Sequence, residues 1–262
     1  MDLELTGKVA LVAASSKGLG RAVALGLAAE GADLIICARN EDILNQVASE
    51  IKELGRQVLV VPTDLTEYAQ VKQLVEKALD RFGRIDILIT NCGGPPSGTF
   101  LDFDVEDWQN AINLSLMSTI FLCREIIPIM IKQQAGCIVM NTSVTVKQPN
   151  TNLILSNVPR AGVTALAKTL SNEFGKDNIR VNVVCPGYTR TERILSLAEA
   201  LSKNRGVPTD DILKEWEQRN ALKRIAEPEE YANVVVFLAS KRASHLTGVT
   251  LQIDGGLVQG LL

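Results

Sequence analysis

Short apolar runs rich in β-branched residues alternate along this chain with longer stretches whose apolar residues recur every three or four positions, and that alternation leaves few folds open. Strand-sized runs lie at 9–13, 33–37, 57–61, 85–89, 136–140, 179–184 and 249–253, and helical periodicity covers 19–30, 41–54, 67–82, 105–130, 153–174 and 228–240. A strand that feeds a helix and then a second strand returns to its sheet only by a crossover, which makes neighbouring strands parallel and places helices on both faces. The sequence therefore predicts an α/β fold: one domain over 1–262, built on a doubly wound, seven-stranded parallel sheet. No linker, repeat or shift in composition marks a boundary, and a single α/β unit readily accommodates this length. The one departure is 191–223, a polar segment too long for a simple connection. Ligands in open α/β sheets sit beyond the carboxyl ends of the strands, so this insertion is expected to act as a substrate lid.

Composition narrows the function classes. With 46% hydrophobic and 22% charged residues the chain can bury a sizeable core under an ordinary polar surface. A net charge of −3, aromatics at 4% and the lack of a basic run argue against a nucleic-acid partner. No uninterrupted apolar stretch approaches the ~18 residues of a membrane helix. Asp2 and Glu4 stand where a signal peptide would carry lysines, so neither membrane nor export is expected. The five cysteines are odd in number, lack any C-x-x-C pair and sit mostly in apolar runs; they read as reduced, buried thiols of a cytoplasmic protein. The single histidine, His245, excludes a His-rich metal site, and no metal is expected.

Directly after the first strand comes Ala14-Ser15-Ser16-Lys17-Gly18-Leu19-Gly20, with a helical pattern starting at once. Glycines at that junction let a pyrophosphate approach the backbone, where the unpaired N–H groups of the helix N-terminus meet its charge. Two glycines alone also suit any tight turn; the strand before and the helix after favour a nucleotide. About 20 residues past the turn, where a ribose is read in such sheets, the chain offers Arg39 in place of a carboxylate. A guanidinium forks onto a 2′-phosphate and Lys17 adds a second cation, so NADP(H) is preferred to NAD(H).

Together with this turn, the order and spacing of further motifs resemble the short-chain dehydrogenase/reductase family over essentially the whole chain, with the general likeness falling nearest the bacterial 3-oxoacyl-carrier-protein reductases. Asp64 and Leu65 follow the third strand, and Asn91-Cys92-Gly93 the fourth. Asn113, Ser143, and Pro186-Gly187 followed by Thr189 and Thr191 come next, and Thr247-Gly248 with Asp254-Gly255-Gly256 closes the chain. The resemblance implies a Rossmann fold with adenine contacts at Asp64 and Leu65, and cofactor-loop contacts at Asn91, Cys92 and Gly93. It implies nicotinamide contacts at Pro186, Gly187, Thr189 and Thr191, a catalytic Ser143, a relay water near Asn113, and a homotetramer or homodimer joined through the long helices 105–130 and 153–174. Two departures stand out. Ala14 replaces the first loop glycine. The family's Tyr-x-x-x-Lys falls on Ser156 and Arg160, the flanking pattern resumes without a gap, and none of Tyr68, Tyr188 and Tyr231 lies on that helix.

The implied reaction is NADP(H)-dependent oxidoreduction of a small carbonyl or alcohol. Ser143, Asn113 and Arg160 would polarise the oxygen, Arg160 would also clamp the cofactor ribose, and Ser156 or a water would relay the proton. Tyr188 offers another donor, although a packing aromatic is the plainer reading. The alternative is a nucleotide-binding sensor or structural partner whose chemistry has decayed, with lyase or isomerase chemistry behind both.

Overall fold

The computed structural model describes residues 2–261. Its elements run β1 (Val9–Ala13), α1 (Gly18–Ala29), β2 (Asp33–Ala38), α2 (Glu41–Glu53), β3 (Val58–Pro62), α3 (Tyr68–Phe82), β4 (Ile87–Thr90), α4 (Val105–Ile112), α5 (Ser118–Gln133), β5 (Gly136–Asn141), α6 (Ile154–Phe174), β6 (Ile179–Pro186), α7 (Glu192–Arg205), α8 (Thr209–Arg219), α9 (Pro228–Ala239) and β7 (Thr250–Ile253). The strands form one sheet in the order β3-β2-β1-β4-β5-β6-β7, with every pairing parallel. From β1 the chain winds outward to β3, then returns to β4 on the other side of β1. Connections therefore leave β1 and β4 in opposite directions, and the crevice between their carboxyl ends is where such a sheet takes ligands.

Strand side chains alternate between two cores. Ala10 and Val12 of β1 join Leu34 and Ile36 of β2 beneath α1, α2 and α9. Val9, Leu11 and Ala13 join Ile35 and Cys37 on the opposite face, beneath α3, α5 and α6. Because both faces are covered, these strands read as continuous apolar runs and not as alternating ones. Each Leu, Ile or Val buried in this way stabilises the fold by about 1.5–3 kcal/mol.

Three expectations need correction. The stretch 105–130 is not a regular α-helix: a π-helical segment, Asn113–Met117, interrupts it between α4 and α5, and the Ser118 N–H reaches back to the Asn113 carbonyl. The combined helix, Val105–Gln133, has a mean hydropathy of 1.7 over its most apolar window and is long enough to cross a membrane by length and composition. A search for unbroken apolar residues overlooks it because serine, threonine and asparagine interrupt the run. In this fold 44% of that window is buried inside the protein. Finally, 191–223 is not uniformly polar. It folds as α7 and α8, joined at Gly206, and encloses a small apolar cluster of Ala198, Ile212 and Trp216 with Tyr188, Ile194 and Leu197 against it.

Candidate active site

The β1–α1 turn is strained in a way that explains its composition. Ala14 has φ 48° and Gly18 φ 52°, both left-handed, and a Cβ on Gly20 would lie 2.2 Å from the Ala14 carbonyl oxygen. Only glycine fits at 20, and Ala14 tolerates a conformation that costs an L-residue about 1–2 kcal/mol. Lys17 at the N-cap of α1 makes no side-chain cap bond, and the first turn holds no acid. The leading N–H groups therefore stay available to an anion.

A cleft of about 1700 Å³ opens above this turn. Of the residues singled out from the sequence, Ser16, Lys17, Gly18, Leu19, Arg39, Asp64, Leu65, Asn91, Cys92, Gly93, Asn113, Ser143, Ser156, Arg160, Pro186, Gly187, Thr189 and Thr191 all line it. Ser15 and Gly20 do not. Ser15 is fully buried, and its hydroxyl accepts the Cys37 N–H at 3.1 Å, so it ties β1 to β2 and faces no ligand. Gly20 is needed for the close passage of its own backbone.

At one end of the cleft Arg39 is exposed beside Asp64. Partial burial pushes the Asp64 carboxyl up, but hydrogen bonds from the Thr66 N–H (3.0 Å) and hydroxyl (2.7 Å), with the Arg39 charge, outweigh this and hold it below the usual carboxylate range. Lys17 is less free than the sequence suggests, since its Nζ lies 2.9 Å from the Glu192 carboxylate in the first turn of α7.

At the other end, Arg160 is buried and held on several sides. Its Nη1 donates to the Thr142 carbonyl at 3.0 Å and the Asn141 carbonyl at 3.4 Å, and its Nη2 lies 3.9 Å from Cys92 Sγ. Its Nε donates to Ser156 Oγ at 3.0 Å. The i,i+4 spacing on α6 puts Ser156 and Arg160 on one helix face. Ser156 Oγ thus accepts from a cation and keeps its own O–H for a ligand. Ser143, at the start of a 3₁₀ turn after β5, accepts the Thr145 N–H at 3.2 Å and likewise retains its proton. Asn113 opens the π-segment and accepts from Gln109 Nε2 at 3.0 Å; such bulges recur at functional sites because they re-aim backbone carbonyls.

Beneath the cleft runs a polar chain that the sequence did not single out. The Tyr231 hydroxyl donates to Asn141 Oδ1 at 3.0 Å, Asn141 Nδ2 to Asn91 Oδ1 at 2.8 Å, and Asn91 Nδ2 to the Ala14 carbonyl at 3.3 Å. It couples α9, β5, the β4 loop and the phosphate turn. Nothing in the spacing of Tyr231 and Asn141 announces this, because the two are brought together by topology.

No phenol stands ready as an acid. Tyr188 stacks on Trp216 with centroids 4.7 Å apart and rings 3° from parallel, and burial pushes its pKa up. Tyr231 is fully buried and pushed up further, chiefly by desolvation. Tyr68 donates to Glu125 between α3 and α5. Among the described residues no group of three His, Cys, Asp or Glu side chains could hold a metal ion.

Comparison with known proteins gives this arrangement its context. Residues 13–258 match the family described as Enoyl-(Acyl carrier protein) reductase. The chain is 37% identical to oxidoreductase UcpA of Salmonella typhimurium over 257 residues, covering 97% of this chain and 95% of that protein. It is 34% identical to the 3-oxoacyl-[acyl-carrier-protein] reductase FabG of Thermotoga maritima, with 98% and 100% covered. Among solved structures, L-sorbose reductase from Gluconobacter frateurii, complexed with NADPH and L-sorbose, superposes with a TM-score of 0.95 at 36% identity, covering both chains completely. A parallel sheet switching direction at β1 and β4, a glycine turn opening α1, and sequence likeness along nearly the whole length converge on one assignment: the chain belongs to the short-chain dehydrogenase/reductase family of oxidoreductases.

Proposed function

We propose that the protein is an NADP(H)-dependent oxidoreductase that interconverts a small carbonyl and its alcohol through a relay in which Ser156 and Arg160 take the place of the family's tyrosine and lysine. The observation that carries this reading is the 3.0 Å hydrogen bond from Arg160 Nε to Ser156 Oγ, in the same cleft as Ser143. Cofactor fit is supported by the uncapped α1 N-terminus, the absence of a Cβ at 20, and Thr189 Oγ1, which is buried without a partner at the β6 end. Arg39, with Lys17 behind it, would hold the 2′-phosphate; Asp64 and Leu65 the adenine side; Asn91, Cys92 and Gly93 the inner ribose; and Pro186, Gly187, Thr189 and Thr191 the nicotinamide. A bound dinucleotide supplies the hydride.

The chain's own residues then manage charge and proton. Ser143 donates its O–H to the carbonyl oxygen. Ser156 gives its proton to the developing alkoxide and recovers one from solvent entering the cleft; the charge left meanwhile on Ser156 Oγ is met by Arg160, whose guanidinium stays protonated throughout. A serine hydroxyl is a far weaker acid than a phenol near ~10, so turnover runs below that of a positioned acid–base group, by up to roughly 10²–10⁴. The helices α7 and α8 close over the nicotinamide end as a lid. The exposed apolar side chains Phe100, Leu101, Val105 and Val158 support a homotetramer or homodimer assembled along α4, α5 and α6. Four buried, unpaired thiols support a cytoplasmic setting, and a net charge of −3 with few aromatics weighs against a nucleic-acid partner.

NADPH oxidation with a ketone panel tests this reading: steady turnover abolished by Ser143→Ala supports it, and tight nucleotide binding without turnover of any ketone contradicts it. That second outcome belongs to the competing reading, a nucleotide-binding sensor or structural partner, which is favoured by the engagement of Tyr68 with Glu125 and of Tyr231 with Asn141, and by the stacking of the cleft-lining Tyr188 on Trp216.

A further inference from the structure

Two residues into α7, Arg193 leaves the helix and crosses to the loop after β4, where its Nη2 donates to the Pro95 carbonyl at 2.7 Å. Its guanidinium packs so closely on this loop that a Cβ on Gly94 would lie 2.7 Å from Arg193 Nε. Cys92, two residues earlier in the same loop, is the neighbour of Arg160 Nη2. The two guanidinium groups therefore bracket one short loop at the catalytic end of the cleft, and both line it. Neither has a carboxylate within ion-pair distance among the described residues, although thirteen other pairs form across the molecule. The acids that do line the cleft are Asp64 and Glu67 by the β3 end and Glu192, which is already committed to Lys17.

Arg160 is buried, whereas Arg193 is exposed at the cleft. Partial removal from water, and then the charge of Arg160, lower the Arg193 pKa from the ordinary arginine value. The two cations also differ in what they have left to offer. Arg160 spends Nε and Nη1 on Ser156 and the end of β5, whereas Arg193 uses a single N–H of its five. A fork with free donors, a fixed anchor and an uncompensated field suits a planar anion.

We propose that the substrate carries a carboxylate close to its reacting carbon, and that Arg193 reads it as the specificity-determining residue, with Arg160 adding to the field. The proposal rests on the oxidoreductase reading above and names the substrate class for the same site. The cofactor's pyrophosphate is the other possible anion, but it is served by the Gly18–Gly20 turn and the α1 N-terminus, whereas Arg193 is anchored on the Pro95 side of the cleft, next to Arg160.

The test uses oxamate, an unreducible carboxylate-bearing analogue of a 2-oxo acid, and oxamide, its neutral counterpart, each titrated into the protein–NADPH complex with NADPH fluorescence as readout. The expected result is at least tenfold tighter binding of oxamate than of oxamide. Arg193→Met should remove that preference, Arg193→Lys restore part of it, and NADPH affinity change less than threefold in either variant. Equal affinity for the two probes in the unaltered protein overturns the proposal while leaving NADPH binding, and the function proposed above, intact. Equal loss of both probes in Arg193→Met would mark a lid contact, and a tenfold loss of NADPH affinity with oxamate selectivity retained would mark a phosphate ligand; either overturns it. Failure of the unaltered protein to bind NADPH at all removes the oxidoreductase reading and this inference with it.

Discussion

Replacing Arg39 with alanine separates the two nicotinamide cofactors without any knowledge of the substrate. A phosphate on the ribose carries a charge of about −1.5 to −2 at neutral pH. A guanidinium at 4 Å gains about 1 kcal/mol per unit charge in water and about 4 kcal/mol at an effective dielectric of 20. Arg39 is exposed, so the interaction sits toward the lower end. Asp64 beside it offsets part of the attraction. Hydrogen bonds to a charged group contribute about 1.5–3 kcal/mol, and a net of about 2 kcal/mol corresponds to a roughly 30-fold weaker NADPH affinity. Lys17, already engaged by Glu192 at 2.9 Å, behaves as a surface pair, and Lys17→Ala should cost about threefold at most. Titration calorimetry with NADPH and NADH at two salt concentrations reads all of this. NADH affinity should change less than twofold in Arg39→Ala, and the wild-type preference for NADPH should shrink as salt rises. Equal affinities for the two cofactors in the wild type, or no NADPH loss in Arg39→Ala, would refute the assignment of Arg39 to the 2′-phosphate.

Other perturbations report on separate parts of the account. Ala14→Gly relieves a left-handed residue at φ 48° and should stabilise the protein by about 0.5–1 kcal/mol, a Tm rise of roughly 1–4 °C; a lower Tm would show that the turn is not strained. The Arg224 fork on the Glu230 carboxylate, with the Glu227 N–H, holds the Glu230 pKa down to about 2. A depressed carboxylate contributes stability above its unfolded value of ~4.3 and loses it as pH falls toward about 2. The Tm gap between wild type and Glu230→Gln should therefore be open at neutral pH and close across that acid window; a gap independent of pH contradicts the pairing. Burial pushes the Cys37 and Cys123 thiols up to about 12, while Cys92 is partly exposed in the cleft. An aromatic disulfide reagent should label one thiol per chain quickly, lose that phase in Cys92→Ala and be slowed by NADPH; several fast thiols, or none, would contradict the burial pattern.

The sheet was legible because its five inner strands are buried on both faces, which concentrates β-branched residues into runs that no amphipathic helix imitates. Strand ends came within two residues for the same reason. The phosphate turn was legible because it is local: Gly18 and Gly20 answer to steric demands set within a few residues. What stayed hidden depends on distance along the chain. Ser15 sits in the loop sequence like a ligand residue, but its hydroxyl accepts the Cys37 N–H, a partner supplied by strand pairing. The Tyr231–Asn141–Asn91 chain joins three separate elements. Arg193 carried a usable signal, since it follows Thr191 by two residues in the segment expected to cover the site, but its neighbour Arg160 and anchor Pro95 are tertiary. The π-segment at Asn113 left no mark in the apolar periodicity, because it adds a wide turn without breaking the helix.

Steady-state oxidation of NADPH over a panel of small ketones and 2-oxo acids, followed for the wild type beside Ser143→Ala and Ser156→Ala, tests the central claim most directly. The account predicts measurable turnover in the wild type, its abolition in Ser143→Ala, and a fall of at least tenfold in kcat in Ser156→Ala with NADPH affinity unchanged. Wild-type turnover that survives in Ser156→Ala, or NADPH binding with no turnover on any member of the panel, would contradict it.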